Sequence, residues 1–372
     1  MKIRVERDSL ADAVAWSART LPNRPSLPVL AGLVVEASGD TVSLSGFDYE
    51  VSTRATLDAD IDAAGKALVS GRLLSDIARS LPAQPVIIAL EGNRVMITCG
   101  RSSFTLPTLP LEDYPALPQM PESSGTVDAG LFGNAVTQVA IAAGRDDTLP
   151  TLTGIRVEVD GSSIVLAATD RYRLAVREIE WAPVDSKIHA ELLVPAKTLA
   201  DTAKSLSGGS SVSLSLPPEG ERLMGFEGDN RRTTTRLLDG EFPKYRSLLP
   251  NESSTHATVD TAALIEAVKR VALVAERNTP VRLTFADSEV ALRAGAGDDA
   301  QAEESLEAAI EGDNIEIAFN PGYLLDGLAA IGAPQAQFAF TQATRPAVMV
   351  GVNDDGPMRD YQYLLMPVRL TG

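Results

Sequence analysis

The sequence predicts an α+β protein of three similar domains, each with antiparallel sheets on one side and two helices on the other, and three observations carry that expectation. Asp76, Asp201 and Asp326 lie 125 residues apart in turn, each at the same place in a recurring segment. The segments read Val69-Ser-Gly-Arg-Leu-Leu-Ser-Asp-Ile-Ala-Arg-Ser-Leu81, Val194-Pro-Ala-Lys-Thr-Leu-Ala-Asp-Thr-Ala-Lys-Ser-Leu206 and Phe319-Asn-Pro-Gly-Tyr-Leu-Leu-Asp-Gly-Leu-Ala-Ala-Ile331. Each is a strand end, a cap-like Ser, Pro or Asn, then a short amphipathic helix. A second register recurs in the same order: Val5, Val127 and Val259 precede the pairs Ala13-Val14, Ala135-Val136 and Ala267-Val268 by one fixed distance, with Leu10, Phe132 and Leu264 between. Finally, 372 residues over three repeats leave 124 each, close to the commonest domain size and enough for a core of their own.

The first repeat opens with a strand at Lys2 to Glu6 and a helix from about Asp8 to Thr20, whose Leu10, Ala13, Val14 and Ser17 form one face. A Pro-rich turn, Leu21-Pro-Asn-Arg-Pro-Ser-Leu-Pro28, ends it. Strands follow at Gly32 to Ala37, Thr41 to Ser45 and Val51 to Leu57, the first two joined by the turn signal Ser38-Gly39-Asp40. After the second helix come Val86 to Leu90, Arg94 to Cys99 and Ser103 to Leu106, with Glu91-Gly92-Asn93 as a turn. The other repeats copy the plan at Ile155 to Val159 and Ile164 to Ala168, and at Val281 to Phe285 and Val290 to Ala294. The ends of the first two repeats also rhyme, Glu112-Asp-Tyr-Pro115 against Gly240-Glu-Phe-Pro243, each followed by a polar, Pro-bearing stretch suited to a linker. Boundaries near residues 121 and 252 follow, giving domains 1–121, 122–252 and 253–372.

Fifty acidic against 33 basic side chains leave a formal charge of −17, which by itself argues against nucleic acid. Acid crowds into expected loops and edges, as in Leu57-Asp-Ala-Asp-Ile-Asp62, Asp298-Asp299, Glu303-Glu304 and Asp354-Asp355, whereas the expected helices are close to neutral. The charged, alternating opening Met1 to Asp8 lacks the apolar core of a signal peptide, and eighteen apolar residues never run together; the expectation is a cytoplasmic protein. Cys99 is the only cysteine, which rules out an intramolecular disulfide and a Cys-based zinc cage. Only His189 and His256 exist, in no metal-ligand spacing and near no nucleophile motif, and no Gly-rich phosphate loop with a following Lys occurs. Aromatic residues make up 5% of the chain, too few to suggest a sugar-stacking cleft, and Trp16 and Trp181 read as packing residues. The expectation is therefore no enzyme, no cofactor and no metal.

The motifs Arg24-Pro-Ser-Leu-Pro-Val-Leu30, Ala168-Thr-Asp-Arg-Tyr-Arg-Leu-Ala175, Asp239-Gly-Glu-Phe-Pro-Lys-Tyr-Arg246 and Tyr363-Leu-Leu-Met-Pro-Val-Arg-Leu370, in this order on a threefold repeat of this length, resemble the beta subunit of bacterial DNA polymerase III, the replicative sliding clamp family. The resemblance spans the whole chain. It implies a head-to-tail homodimer forming a pseudo-sixfold ring around duplex DNA, with the helices lining the hole, and the replicative polymerase, clamp loader and other replication proteins as partners. Six helices of roughly 11 Å diameter would close a lumen of only about 10 Å, whereas twelve leave about 30 Å, and duplex DNA at about 20 Å across passes only the second. Two chains are needed to encircle it.

A clamp needs weak contact with DNA. Arg72 and Lys197 coincide at the start of the second helix in the repeat register, and Arg79 and Lys204 follow seven residues later on nearly the same face. The third repeat has Gly322 and Ala329 there, so its basic residues would be Lys269, Arg270 and Arg277. The resemblance places Arg24 at the DNA-facing rim. It assigns a partner-peptide pocket to Leu152, Thr169, Arg171, Tyr172, Arg173, Leu174, Pro243, Ser247 and Leu248 together with Leu364, Met366, Pro367, Val368, Arg369 and Leu370 of the tail. Leu, Met, Pro and Val at a chain end suit an adaptable apolar cleft for Leu or Phe anchors, and they equally suit a last strand. Arg171-Tyr172 stands where Gly-His is common in the family, Ser247 where an Arg is frequent, and Thr371-Gly372 extend the usual end. For ring closure the resemblance points to Ile77, Leu81, Phe104 and Leu106 meeting Leu273; the helical spacing of Ile77 and Leu81 fits an inward core face as well. A repeat scaffold that binds proteins and never touches DNA is the competing reading, separated by dimer formation and polymerase processivity.

Overall fold

Among the described residues two α-helices fall in each repeat: α1 (Arg7–Ser17), α2 (Gly71–Ser80), α3 (Ala129–Ala140), α4 (Ala196–Leu206), α5 (Thr261–Val271) and α6 (Pro321–Ile331). The computed structural model describes residues 1–250, 252–275, 279–295 and 300–369. The caps expected from sequence are present in α2 and α6: Ser70 Oγ accepts from Leu73 N at 3.4 Å, and Asn320 Oδ1 from Tyr323 N at 3.2 Å. Each satisfies one of the amide donors that a helix start leaves without a partner. The first helix is shorter than its pattern suggested, because the chain tightens into a 3-10 turn at Ala18–Thr20.

Every strand pairing among the described residues is antiparallel. The expected hairpins Gly32–Ser38 with Thr41–Phe47, Val86–Glu91 with Arg94–Cys99 and Gly154–Asp160 with Ser163–Thr169 all form, and Gly39 and Gly92 take the positive φ (65° and 60°) that their turns require. Short strands at Asp60–Ala63, Gly65–Ser70 and His189–Pro195 join them. The acidic run ending at Asp62 is an outermost strand, pairing with Lys2–Val5, and Lys2 Nζ lies 2.9 Å from Asp62 Oδ2.

Among the described residues the strands make sheets of 14, nine and four, and these sheets do not stop at the repeat boundaries. Val51–Ala55 of the first repeat pairs with Arg231–Thr235 of the second, and Arg173–Arg177 of the second with Tyr361–Leu365 of the third. The two seams are copies of one another, since Arg236 N donates to Glu50 O and Met366 N to Tyr172 O, each at 2.9 Å. Packing accordingly cuts the chain differently from the repeats. One compact unit comprises Met1–Gly130, Ala182–Asp185 and Asp201–Leu237, and the other takes Leu131–Trp181, Ser186–Ala200 and the chain from Leu238 onward. The middle repeat is shared between them. In the first unit Leu10 and Val14 of α1 and Leu74 and Ile77 of α2 pack on Leu33, Leu44 and Ile97 of the strands, so each helix buries one stripe against a sheet face.

Candidate functional site

Strands Ser163–Thr169 and Arg173–Glu180 are joined by a turn built on Asp170. Its Oδ1 accepts from Tyr172 N at 3.0 Å and Arg173 N at 3.1 Å, replacing ladder bonds that the reversal interrupts. Arg171 takes φ +78°, and Thr169 Oγ1, buried, donates to Arg173 O at 2.6 Å. The turn aims Arg173 inward. Its Nε donates to Asp170 Oδ2 at 2.9 Å, its Nη1 to Asp326 Oδ2 of α6 at 2.6 Å, and its guanidinium lies 4.4 Å from the centre of the Tyr323 ring. Arg173 is only 5% exposed. Burial opposes its charge, but the Tyr363 hydroxyl and the carboxylates of Asp326 and Asp170 outweigh that and push its pKa up. Tyr363 in turn donates to Tyr323 O at 2.9 Å, so the end of the last strand, the turn and the first turns of α6 form one hydrogen-bonded assembly.

A cavity of about 600 Å³ opens there, lined by Leu149, Leu152, Arg171, Tyr172, Arg173, Asn320, Tyr323 and Asp326 among others. Four of the expected pocket residues, Leu152, Arg171, Tyr172 and Arg173, meet in it. Beside it, Leu174 and Leu364 are register partners, 1% and 2% exposed, and pack with Phe242 and Tyr245. The segment carrying Phe242 and Tyr245 presents Pro243, Ser247 and Leu248 to solvent. Met366 is also exposed, Pro367 and Val368 are half-buried, and Arg369 is exposed. Val368 N donates to Ala318 O at 2.8 Å, which fastens the tail past the strand end. The tail thus continues the last strand and is fastened beside it, but among the described residues it does not line the cavity; Leu370 lies outside the described residues. Thr169, Leu174 and Leu364 support this surface from beneath instead of lining it, because the strand pleat turns them into the core.

Among the expected DNA-facing residues, Arg72 and Arg79 of α2 line a groove of about 470 Å³ together with Arg19, Asn23, Ser75 and Asp76. Arg72 Nη2 donates to Asn23 Oδ1 at 2.9 Å, and Arg24, exposed, projects from the same loop. Lys197 and Lys204 are exposed on α4. Lys269 and Arg270 are exposed on α5 but already paired, Lys269 Nζ with Glu266 at 2.8 Å and Arg270 with Glu304 in a two-pronged contact at 3.0 and 2.5 Å. The third repeat therefore offers less free positive charge than expected; Arg277 lies outside the described residues. The expected seam residues also divide. Ile77, Leu81 and Leu106 are 6%, 2% and 1% exposed within the first repeat's core, so they have no surface to offer a partner. Phe104 is partly buried and Leu273 is 84% exposed, which leaves these two.

Models of the DNA polymerase III beta subunit match in order along the chain: the N-terminal domain over residues 1–118, the central domain over 126–244 and the C-terminal domain over 246–369. The chain belongs to the DNA polymerase III beta subunit family. Among its relatives, the beta sliding clamp of Streptomyces coelicolor is 59% identical over 376 residues, covering all of both chains, and that of Bacillus subtilis is 28% identical over 383 residues, covering 99% of this chain and all of that one. The crystal structure of the Bacillus subtilis sliding clamp superposes with a TM-score of 0.93 at 28% identity, and that of the Pseudomonas aeruginosa beta subunit with 0.90 at 29%, each over the full length of both chains.

Within this beta-subunit chain the two seams are an internal comparison. Leu174 and Leu364 at the second correspond to Ser52 and Thr234 at the first, and those two hydroxyls meet at 2.6 Å in a buried position. The apolar floor exists at one seam only. Asn320, Tyr323 and Asp326 also line the cavity, whereas in sequence Asp326 marks only the repeat register and Asn320 only a helix cap. Nothing in their spacing tells that α6 starts beside the Asp170 turn; that follows from the pairing of Arg173–Arg177 with the last strand.

Proposed function

We propose that this chain is a sliding clamp: it encircles duplex DNA and tethers the replicative polymerase to it, and it acts by topology with no chemistry of its own. The ordered match of three beta-subunit domain models along the chain carries this reading. The ring consists of two copies joined head to tail, with repeats bounded near residues 121 and 252, working in the cytoplasm. Strand edges support the closure. Among the described residues, Ser102–Pro107 pairs on one side only, with Arg94–Cys99, and Ala302–Glu307 pairs only with Glu289–Ala294. A free edge is a template for another strand. Glu307, exposed on one edge, and the exposed Arg101 beside the other have complementary charge, and Phe104 and Leu273 supply apolar contact.

The groove formed by the Arg173 cavity, Leu248 and Met366 takes short apolar segments of the polymerase, the clamp loader and other replication proteins. Arg24, Arg72, Arg79, Lys197 and Lys204 face the duplex, and the acidic excess of the rest of a chain whose net charge is −17 repels phosphate. No helix among the described residues is long and apolar enough to cross a membrane. The test is topological. Protein loaded onto closed circular duplex should stay bound through a gel-filtration column and be lost once the circle is cut by a restriction enzyme; equal retention on both forms would overturn the clamp.

A further inference from the structure

The segment Phe242–Leu249, which exposes Leu248, is held from outside by an ion-pair cluster centred on Glu158. Glu158 sits on the strand Gly154–Asp160 with its side chain 12% exposed. Its Oε2 accepts from Tyr245 Oη at 3.1 Å and pairs with Arg246 Nη2 at 2.5 Å, while its Oε1 accepts from Arg156 Nε at 2.6 Å. Arg246 lies over the Tyr245 ring, 5.0 Å from its centre. One carboxylate thus receives three donors, two of them from the segment itself. Charge-assisted bonds of this kind are the stronger class, and their shared acceptor makes them act together.

The first repeat shows that the fold does not require this arrangement. The strand Gly32–Ser38 places Glu36 where the second repeat has Glu158, and among the described residues Glu36 pairs only with Lys66, at 3.4 Å with both side chains about 40% exposed. Where the second repeat has Tyr245-Arg246 after Phe242-Pro243, the first has Leu117-Pro118 after Tyr114-Pro115, which can donate no side-chain hydrogen bond to a carboxylate. The same module folds without the cluster, and the cluster occurs at the seam that has the apolar floor.

We infer that Glu158 is a positioning residue for partner binding: it clasps Tyr245 and Arg246 so that Leu248 stands as a fixed wall of the groove. This rests on the groove reading above. Without the clasp the wall has to be ordered when the peptide binds, and affinity falls by the cost of that ordering. The probe is a fluorescent synthetic peptide carrying the clamp-binding segment of the replicative polymerase, titrated into the full-length protein. Glu158→Gln, which keeps the shape and loses the charge, should weaken binding about tenfold while retention on circular DNA is unchanged. Arg246→Gln opens the clasp from its exposed side and should do the same, which guards against a folding defect in the first variant. Because Glu158 acts through the segment, combining Glu158→Gln with Leu248→Ala should cost clearly less than the product of the separate losses. Full affinity in both clasp variants, or losses that multiply, overturns the inference. Deleting residues 366–372 separates the two readings: if the deletion abolishes binding while the clasp variants bind normally, the clasp alone fails, and if the deletion binds normally, the groove fails and the clasp with it.

Discussion

Asp48 and Asp170, one repeat apart, make the same turn with different consequences. Each accepts two backbone amides, Asp48 Oδ1 from Glu50 and Val51 at 3.0 and 2.7 Å, Asp170 Oδ1 from Tyr172 and Arg173, and the next residue takes φ +76° (Tyr49) or +78° (Arg171). Asp170 also holds the buried Arg173 through its second oxygen. Asp48→Ala should therefore cost about 1–2 kcal/mol, the loss of a turn cap. Asp170→Ala should cost about 2–4 kcal/mol, because Arg173 then keeps only Asp326 as a carboxylate partner. Urea denaturation of the two variants measures the difference, and equal losses would mean that the Asp170–Arg173 pair adds nothing. The turn is legible in sequence, as Asp with a short polar neighbourhood between two alternating runs. The burial of Arg173 is not, because it depends on Asp326 of α6, 153 positions away.

At the scale of elements, periodicity reports that a face is apolar and leaves unsaid what covers it. Leu74, Ile77, Ala78 and Leu81 recur at helical spacing, which suits a core and a seam equally; the structure buries all four against the first repeat's strands. Ile77→Ala should then destabilise the chain by about 2–4 kcal/mol through the cavity it leaves. Leu273→Ser, on a side chain 84% exposed in the turn after α5, should leave denaturation within about 0.5 kcal/mol and raise the dimer dissociation constant. Thermal denaturation and sedimentation velocity, run on both variants, distinguish the roles; a Leu273→Ser protein that dimerises normally would remove this residue from the interface. The hairpins were readable because alternation and Gly turns coincide. The strand Asp60–Ala63 was not, because its two acids read as loop, and it forms only because Lys2–Val5 gives it an edge to join, where its charge also discourages further pairing.

For the whole molecule, the threefold plan is readable from two recurring registers and the family resemblance from the four motifs set in that plan, while the partition of packing is not. A repeat is a stretch of sequence, and nothing in sequence says that the middle one divides its strands between two units. The ladder between Val51–Ala55 and Arg231–Thr235 joins two repeats whose covalent connection runs elsewhere, through residues 115–124, which contain no helix or strand. A glutamyl endopeptidase that cuts after the exposed Glu122 should yield two bands on a denaturing gel and a single species on a native one; separation under native conditions would show that the ladder alone cannot hold the halves. In such a protein the peptide chain and the load-bearing framework follow different routes. Scission of a connector therefore leaves the architecture standing, much as a severed thread leaves a woven cloth intact.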